Sequence, residues 1–277
     1  MPMHYVLNQE TLVNPIVLAP TTLMRTPPME YIEVAQKAGY DGIGIRLYPS
    51  PRMQFFPIVG DKTLETEVKK ALADSDLQVY DILTCYMQPE TDLDAMKRAH
   101  EYGAELGARY ALVIGADTEW DRMVQNFGQL CDNAAQFGLI CALEAPVNRQ
   151  ALTSTELNLK LIKDSGRQNT AICIDPVQFH RGGDKVEMLK DVDPKLLPYT
   201  QICDGESMTP MQPYCMPGDG VVPMVELLDV LPEGLPLSLE YHHRDDRYTT
   251  LAWATHVLDG TRRFMRQYNA SRGKTSE

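Results

Sequence analysis

Three features of this 277-residue chain predict an α/β fold, a single-domain (β/α)8 TIM barrel. Short β-rich runs alternate with stretches of helical spacing eight times over. The runs are apolar on both faces, as expected of a parallel sheet covered by helices. No linker, low-complexity segment or charge block divides the series, so one domain is expected over 1–277, with 270–277 as a frayed tail.

Taken in order, PIVLA (15–19) leads into MEYIEVAQKAG (29–39), and GIGIRL (42–47) into KTLETEVKKALADSD (62–76). QVYDIL (78–83) precedes TDLDAMKRAHEYGAELGA (91–108), and YALVIG (110–115) precedes EWDRMVQNFGQLCDNAAQFG (119–138). LICALE (139–144) is followed by STELNLKLIKDSG (154–166), and TAICID (170–175) by the shorter KVEMLKDV (185–192). YTQIC (199–203) leads to PMVELLDVL (223–231), and LPLSLE (235–240) to RYTTLAWATHVLDGTRRFMRQY (247–268). In AGYDG, LGARY and FGLI a glycine stands where a helix must stop before the next strand. No GxGxxG follows the first run and no GxxxxGK[ST] occurs, so a nucleotide-binding α/β fold has no support.

Composition narrows the function. Apolar residues make up 44% and charged residues 23%, an ordinary globular balance. A net charge of −12, without a basic stripe, opposes nucleic acid as a partner. The first 20 residues lack the basic and apolar regions of a signal peptide, and no apolar run reaches the length of a membrane span. The six cysteines, Cys85, Cys131, Cys141, Cys173, Cys203 and Cys215, include no CxxC pair and read as small hydrophobes in a reduced compartment. A cytoplasmic protein is expected.

In such barrels chemistry sits where strands end. Those positions hold Arg46 and Tyr48 after the second run, Glu144 in LEAP, Asp175 in CIDPVQFHRGG, Gln201 in QICDGE and Glu240 in LEYHHR. A single carboxylate there is more often a helix cap or an arginine's partner. Three carboxylates on one rim repel unless a cation or protons neutralise them. With Gln201 they offer an all-oxygen donor set, which favours Mn²⁺ or Mg²⁺, with Co²⁺ or Zn²⁺ as further options. Tyr48, Tyr86 and Trp120 suit an apolar wall or a simple lid. Met24, Met53, Met87 and Met211 in the same loops suit an adaptable apolar surface or a homo-oligomer contact.

The order and spacing of these words, clearest from LEAP through LEYHH, resemble the xylose isomerase-like TIM-barrel superfamily of sugar phosphate isomerases/epimerases. The resemblance implies one divalent metal on Glu144, Asp175, Gln201 and Glu240, with Glu144 and Glu240 also moving protons. PGDG (217–220) is similar to the family's glycine-bearing loop. The substrate implied is a keto-sugar or a hydroxylated ring ketone, with Gln178, His180, Arg181, Arg46, Tyr48 and His242 as its expected contacts. Two positions depart from the pattern: Gln178 replaces the His of DxxH, and Gln201 stands where many epimerases carry His. The second departure resembles 3-dehydroshikimate dehydratases and opens a lyase alternative; loss of the DxxH histidine opens a non-catalytic binding barrel. Endonuclease IV shares the barrel, but six scattered histidines do not make its histidine-rich zinc site.

Overall fold

The structure is a computed structural model that describes residues 14–49, 55–147, 151–209, 213–241 and 247–273. Eight parallel strands form one sheet: β1 (Ile16–Leu18), β2 (Gly42–Arg46), β3 (Gln78–Met87), β4 (Tyr110–Gly115), β5 (Ile140–Glu144), β6 (Thr170–Ile172), β7 (Thr200–Ile202) and β8 (Leu237–Leu239). Each pairs with its sequence neighbour from β1 to β6, and β8 lies between β1 and β7. A parallel bridge between Ile174 and Thr200 links β6 to β7. There the Thr200 hydroxyl and the Gln201 N–H both donate to Ile174 O, at 2.8 and 2.9 Å. The curled sheet and its helices form a (β/α)8 barrel.

The helices are α1 (Pro28–Ala38), α2 (Lys62–Ala73), α3 (Leu93–Glu105), α4 (Trp120–Ala135), α5 (Thr155–Ser165), α6 (Pro176–Arg181), α7 (Met224–Val230) and α8 (Thr250–Ser271). Side-chain caps start several of them. Asp61 accepts from Thr63 N and Leu64 N, and Asp92 accepts from Asp94 N and Ala95 N. Gly39 ends α1 at φ 87°, a left-handed turn that an L side chain adopts only with strain.

The alternation of side chains along each strand splits the core in two. One cluster, including Ile43, Ile82, Val113, Leu143, Phe127 and Leu258, fills the layer between sheet and helices. A smaller one, Leu83, Leu112, Ala142, Ala171, Cys173 and Tyr199, gathers on the inner side of the strands. All six cysteines are free; five are buried and Cys215 is half-buried. Among the described residues no helix is long and apolar enough to cross a membrane.

The expected elements differ from the structure in three places. The sixth helix forms at Pro176–Arg181, inside the stretch read as a rim loop, while 185–192 holds only a 3-10 turn, Val186–Asp191. β3 runs on past Leu83 to Met87. α8 reaches Ser271, two residues into the expected frayed tail, and Arg272 beyond it pairs with Asp229.

Candidate active site

The chain brings Glu144, Gln201 and Glu240 into direct contact. Glu144 is the last residue of β5, and Gln201 is the middle residue of β7, in register with Ser238 of β8. Glu240 follows β8 directly. All are nearly closed off, with 7% of Glu144, 1% of Gln201 and 5% of Glu240 exposed. Gln201 Nε2 donates to Glu144 Oε2 at 3.3 Å and to Glu240 Oε2. Its Oε1 is buried and meets no hydrogen-bond partner. Asp175, 3% exposed, sits on the adjoining strand end. It caps α6: Oδ1 accepts from Val177 N at 2.8 Å and Gln178 N at 3.1 Å.

These residues match a hard divalent ion in donor chemistry. Two buried carboxylates converge on one amide donor, and like charges brought that close favour a cation or a proton beside them. The other end of that amide, Oε1, is buried without a hydrogen-bond partner, and a buried acceptor normally finds a donor or a cation. Turning the Gln201 amide over would present that oxygen on the carboxylate side. As the side chains stand, no three His, Cys, Asp or Glu among the described residues are grouped closely enough to hold a metal.

Arg46, at the end of β2, supplies positive charge. Burial lowers its pKa, while the Glu240 carboxylate and the Tyr86 and Tyr31 hydroxyls oppose that shift. Asp81 of β3, not singled out by its position in QVYDIL, is a further acid on the inner side of the strands. It is 2% exposed, and its carboxyl is pushed up to about 7, chiefly by burial and secondarily by Glu240. Its partner in register is Gly44, where a Cβ would come within 2.4 Å of Asp81 Oδ1. A glycine in β2 thus admits the carboxylate.

Several expected substrate contacts serve the scaffold. Gln178 accepts from Val147 N at 3.0 Å and donates to Tyr214 Oη at 2.9 Å, so its amide ties three segments together. Arg181 Nε donates to Ser207 O at 3.2 Å, and its guanidinium lies 5.6 Å from the Tyr214 ring centre. Two acids of this region, Asp184 and Asp204, accept from backbone N–H groups. Asp184 accepts from Thr155 N. Asp204 accepts from four backbone N–H groups, those of Gly205, Gly218, Gly220 and Val222, at 2.8–3.1 Å. It is the organiser of the PGDG loop. Gly218 there has φ 84°, and a Cβ on it would meet the Phe264 ring at 2.7 Å.

His180 is half-buried beside Asp204, Lys185 and Val221, with its pKa lowered mainly by burial. Tyr48 is 1% exposed and packs edge-on against His100 of α3, behind the rim. Trp120 opens α4 and turns to α5, where its Nε1 donates to Asp164 and Lys160 covers its ring. Met87 is fully buried. His242, Met53 and Met211 lie outside the described residues.

Fold and rim together define a (β/α)8 barrel with a carboxylate–amide cluster at the carboxyl ends of its strands. Residues 32–268 match the family model described as xylose isomerase-like TIM barrel, and the chain belongs to that family. No curated protein matches the sequence. Among solved structures it is similar to the IolI protein with a bound zinc atom, at TM-score 0.74 and 19% identity over 93% of this chain and 98% of that one. It is similar also to L-ribulose 3-epimerase, at TM-score 0.67 and 16% identity over 96% and 100%. A xylose isomerase-like TIM barrel/4-hydroxyphenylpyruvate dioxygenase fusion protein matches at TM-score 0.75 and 18% identity; it aligns with 95% of this chain, which spans only 45% of that protein. At these identities the likeness concerns the fold.

Proposed function

We propose that this protein is a divalent-metal-dependent isomerase or epimerase of a sugar, sugar phosphate or related hydroxylated ketone. The observation that carries the reading is the Gln201 amide held between Glu144 and Glu240, with Asp175 on the next strand end. Family membership and an epimerase among the structural neighbours support it. Glu144, Asp175, Gln201 and Glu240 would hold the ion, and the all-oxygen set suits Mn²⁺ or Mg²⁺. The zinc in IolI is a property of that protein.

A bound ion supplies Lewis-acid polarisation of neighbouring carbonyl and hydroxyl oxygens. The chain's own residues do the rest. Glu144 and Glu240 approach Gln201 from two strands, so one can take a proton from the carbon beside a carbonyl and the other can return it. Each positioned acid or base contributes about 10²–10⁴-fold. Arg46, facing Glu240, offsets the negative charge that develops on the substrate oxygens. Reprotonation on the opposite face gives an epimer, and reprotonation at the neighbouring carbon interconverts aldose and ketose. Gln201 in the donor set favours a second reading, in which a β-hydroxyl leaves and the enzyme is a dehydratase.

Incubation with ketoses and hydroxylated ring ketones in D₂O tests the proposal. Deuterium at a carbon-bound position in an isomeric product, heavier than the substrate only by the exchanged deuterium, is the expected result. Loss of water with a new conjugated chromophore would replace it with the dehydratase reading, and no change in any compound would remove both. A small-molecule substrate and a cytoplasmic setting accompany this reading.

A further inference from the structure

The ladder between β1 and β8 changes its partners where it reaches Glu240. The two strands pair in parallel register, Ile16 with Leu237, Val17 with Ser238 and Leu18 with Leu239. The Ala19 N–H adds one more rung, to Leu239 O at 3.1 Å. In a regular parallel ladder the next rung would run from the Tyr241 N–H to Ala19 O. That carbonyl is already taken. The chain turns at Pro20 into the 3-10 turn Pro20–Leu23, and Thr22 N donates to Ala19 O at 3.0 Å. The Thr22 hydroxyl stands in for the lost acceptor: it accepts from Tyr241 N at 2.9 Å and donates to Leu239 O at 2.8 Å. One buried side chain, 2% exposed, thus grips the backbone on both sides of Glu240.

We propose that Thr22 is a positioning residue for Glu240, fixing the direction from which that carboxylate meets the ion. The proposal rests on the functional reading above and extends the site to a residue just past the first strand. Glu240 needs such a grip because Gln201 Nε2 gathers it beside Glu144, and like charges that close push each other apart. A carboxylate so pushed can yield through its own torsions or through its backbone. At Glu240 the backbone route is closed, since Thr22 holds both Leu239 O and Tyr241 N. Tyr241 is anchored again at its far end, where its hydroxyl donates to Tyr214 O at 2.7 Å. Glu240 shares a strand face with Ser238, the partner of Gln201 in register, so tilting its peptide planes would turn the carboxylate away from Gln201. Groups that orient a metal ligand set affinity through this kind of restraint. The residue type matters as well. The hydroxyl donates and accepts at one oxygen, whereas valine of the same shape does neither and would leave the buried Tyr241 N–H without an acceptor.

Calorimetric titration of the chelated full chain with Mn²⁺ tests this in Thr22→Val, Thr22→Ala, Thr22→Ser and Thr261→Val. Thr261 is fully buried and donates to Val257 O at 3.0 Å inside α8, so its valine variant loses a buried hydroxyl of the same kind away from Glu240. Thr22→Val should raise the Kd for Mn²⁺ about 10–100-fold, and Thr22→Ala reads the same loss if the valine variant does not fold. Thr22→Ser keeps the hydroxyl and should return the Kd to near that of wild type. Thr261→Val should melt earlier than wild type yet bind Mn²⁺ equally well. Without metal, hydrogen exchange at the Tyr241 amide should be slow in wild type and Thr22→Ser, and faster in Thr22→Val and Thr22→Ala. An unchanged Kd or unchanged Tyr241 exchange in those two variants overturns the assignment. So does a serine variant as weak as the valine one, or an equal loss in Thr261→Val. In each of these cases binding by wild type leaves the metal reading standing. Wild type that takes up no Mn²⁺ removes the metal reading, and the positioning role falls with it.

Discussion

Replacing Glu144 by Gln should move stability and activity in opposite directions. Gln201 Nε2 donates to both Glu144 and Glu240, which sets the two carboxylates roughly 5 Å apart, about two hydrogen-bond lengths less the bend at nitrogen. At an effective dielectric of about 20, two charges at that distance repel by about 3 kcal/mol. Some of that relief is lost on substitution, because the hydrogen bond from Gln201 to the new amide is weaker than to a carboxylate. A net gain of about 1–2 kcal/mol is expected for the metal-free protein. For a chain of this size that is roughly 2–8 °C in Tm. The assay is thermal unfolding by circular dichroism after exhaustive chelation, followed by Mn²⁺ addition. Wild type should gain about 2.7 kcal/mol at a metal concentration 100 times Kd, and Glu144→Gln much less at the same concentration. Turnover should fall by about 10²–10⁴-fold. A chelated Glu144→Gln that melts below chelated wild type would refute the reasoning, since the carboxylate would then be held by a favourable structural contact.

Two further outcomes follow from buried groups away from the cluster. Asp204→Ala leaves four N–H groups of the 205–222 segment without their acceptor and should cost about 3–5 kcal/mol, since hydrogen bonds to a charged group are worth about 1.5–3 kcal/mol each and some of the amides will rehydrate; a urea midpoint equal to wild type would contradict it. His100 is fully buried, neither ring nitrogen finds a partner, and burial pushes its pKa down to about 4. The unfolded chain takes up that proton first, so stability should fall by roughly 2–3 kcal/mol as pH drops from about 6.5 to about 4 and then level off on this account. In His100→Phe that component should vanish, which parallel stability–pH curves for the two proteins would disprove.

The barrel was legible because strands buried on both faces and long amphipathic helices carry strong periodic signals. What escaped was short or non-local. α6 has only six residues, too few for a helical period, and its start depends on the Asp175 cap rather than on spacing. Oδ1 of Asp175 is spent on that cap, so the proposed metal role of Asp175 falls mainly to its other oxygen. Convergence of Glu144, Gln201 and Glu240 was expected from their places near the carboxyl ends of the fifth, seventh and eighth strands, which a closed barrel gathers at one rim. Gln178 and Tyr48 went elsewhere for reasons that only tertiary contacts supply. Gln178 found Val147 and Tyr214, 31 and 36 residues away, and Tyr48 found His100. Asp81 was hidden because a carboxylate inside an apolar strand word gives no hint that Gly44 leaves room for it.

The central claim is that the rim binds one hard divalent ion through Glu144, Asp175, Gln201 and Glu240. Calorimetric titration of chelated protein with Mn²⁺ tests it most directly, with an Asp175→Asn, Glu240→Gln double variant alongside. One site per chain in wild type, lost in the variant, is the predicted result. Heats indistinguishable from buffer in wild type, or equal binding by the variant, would contradict it.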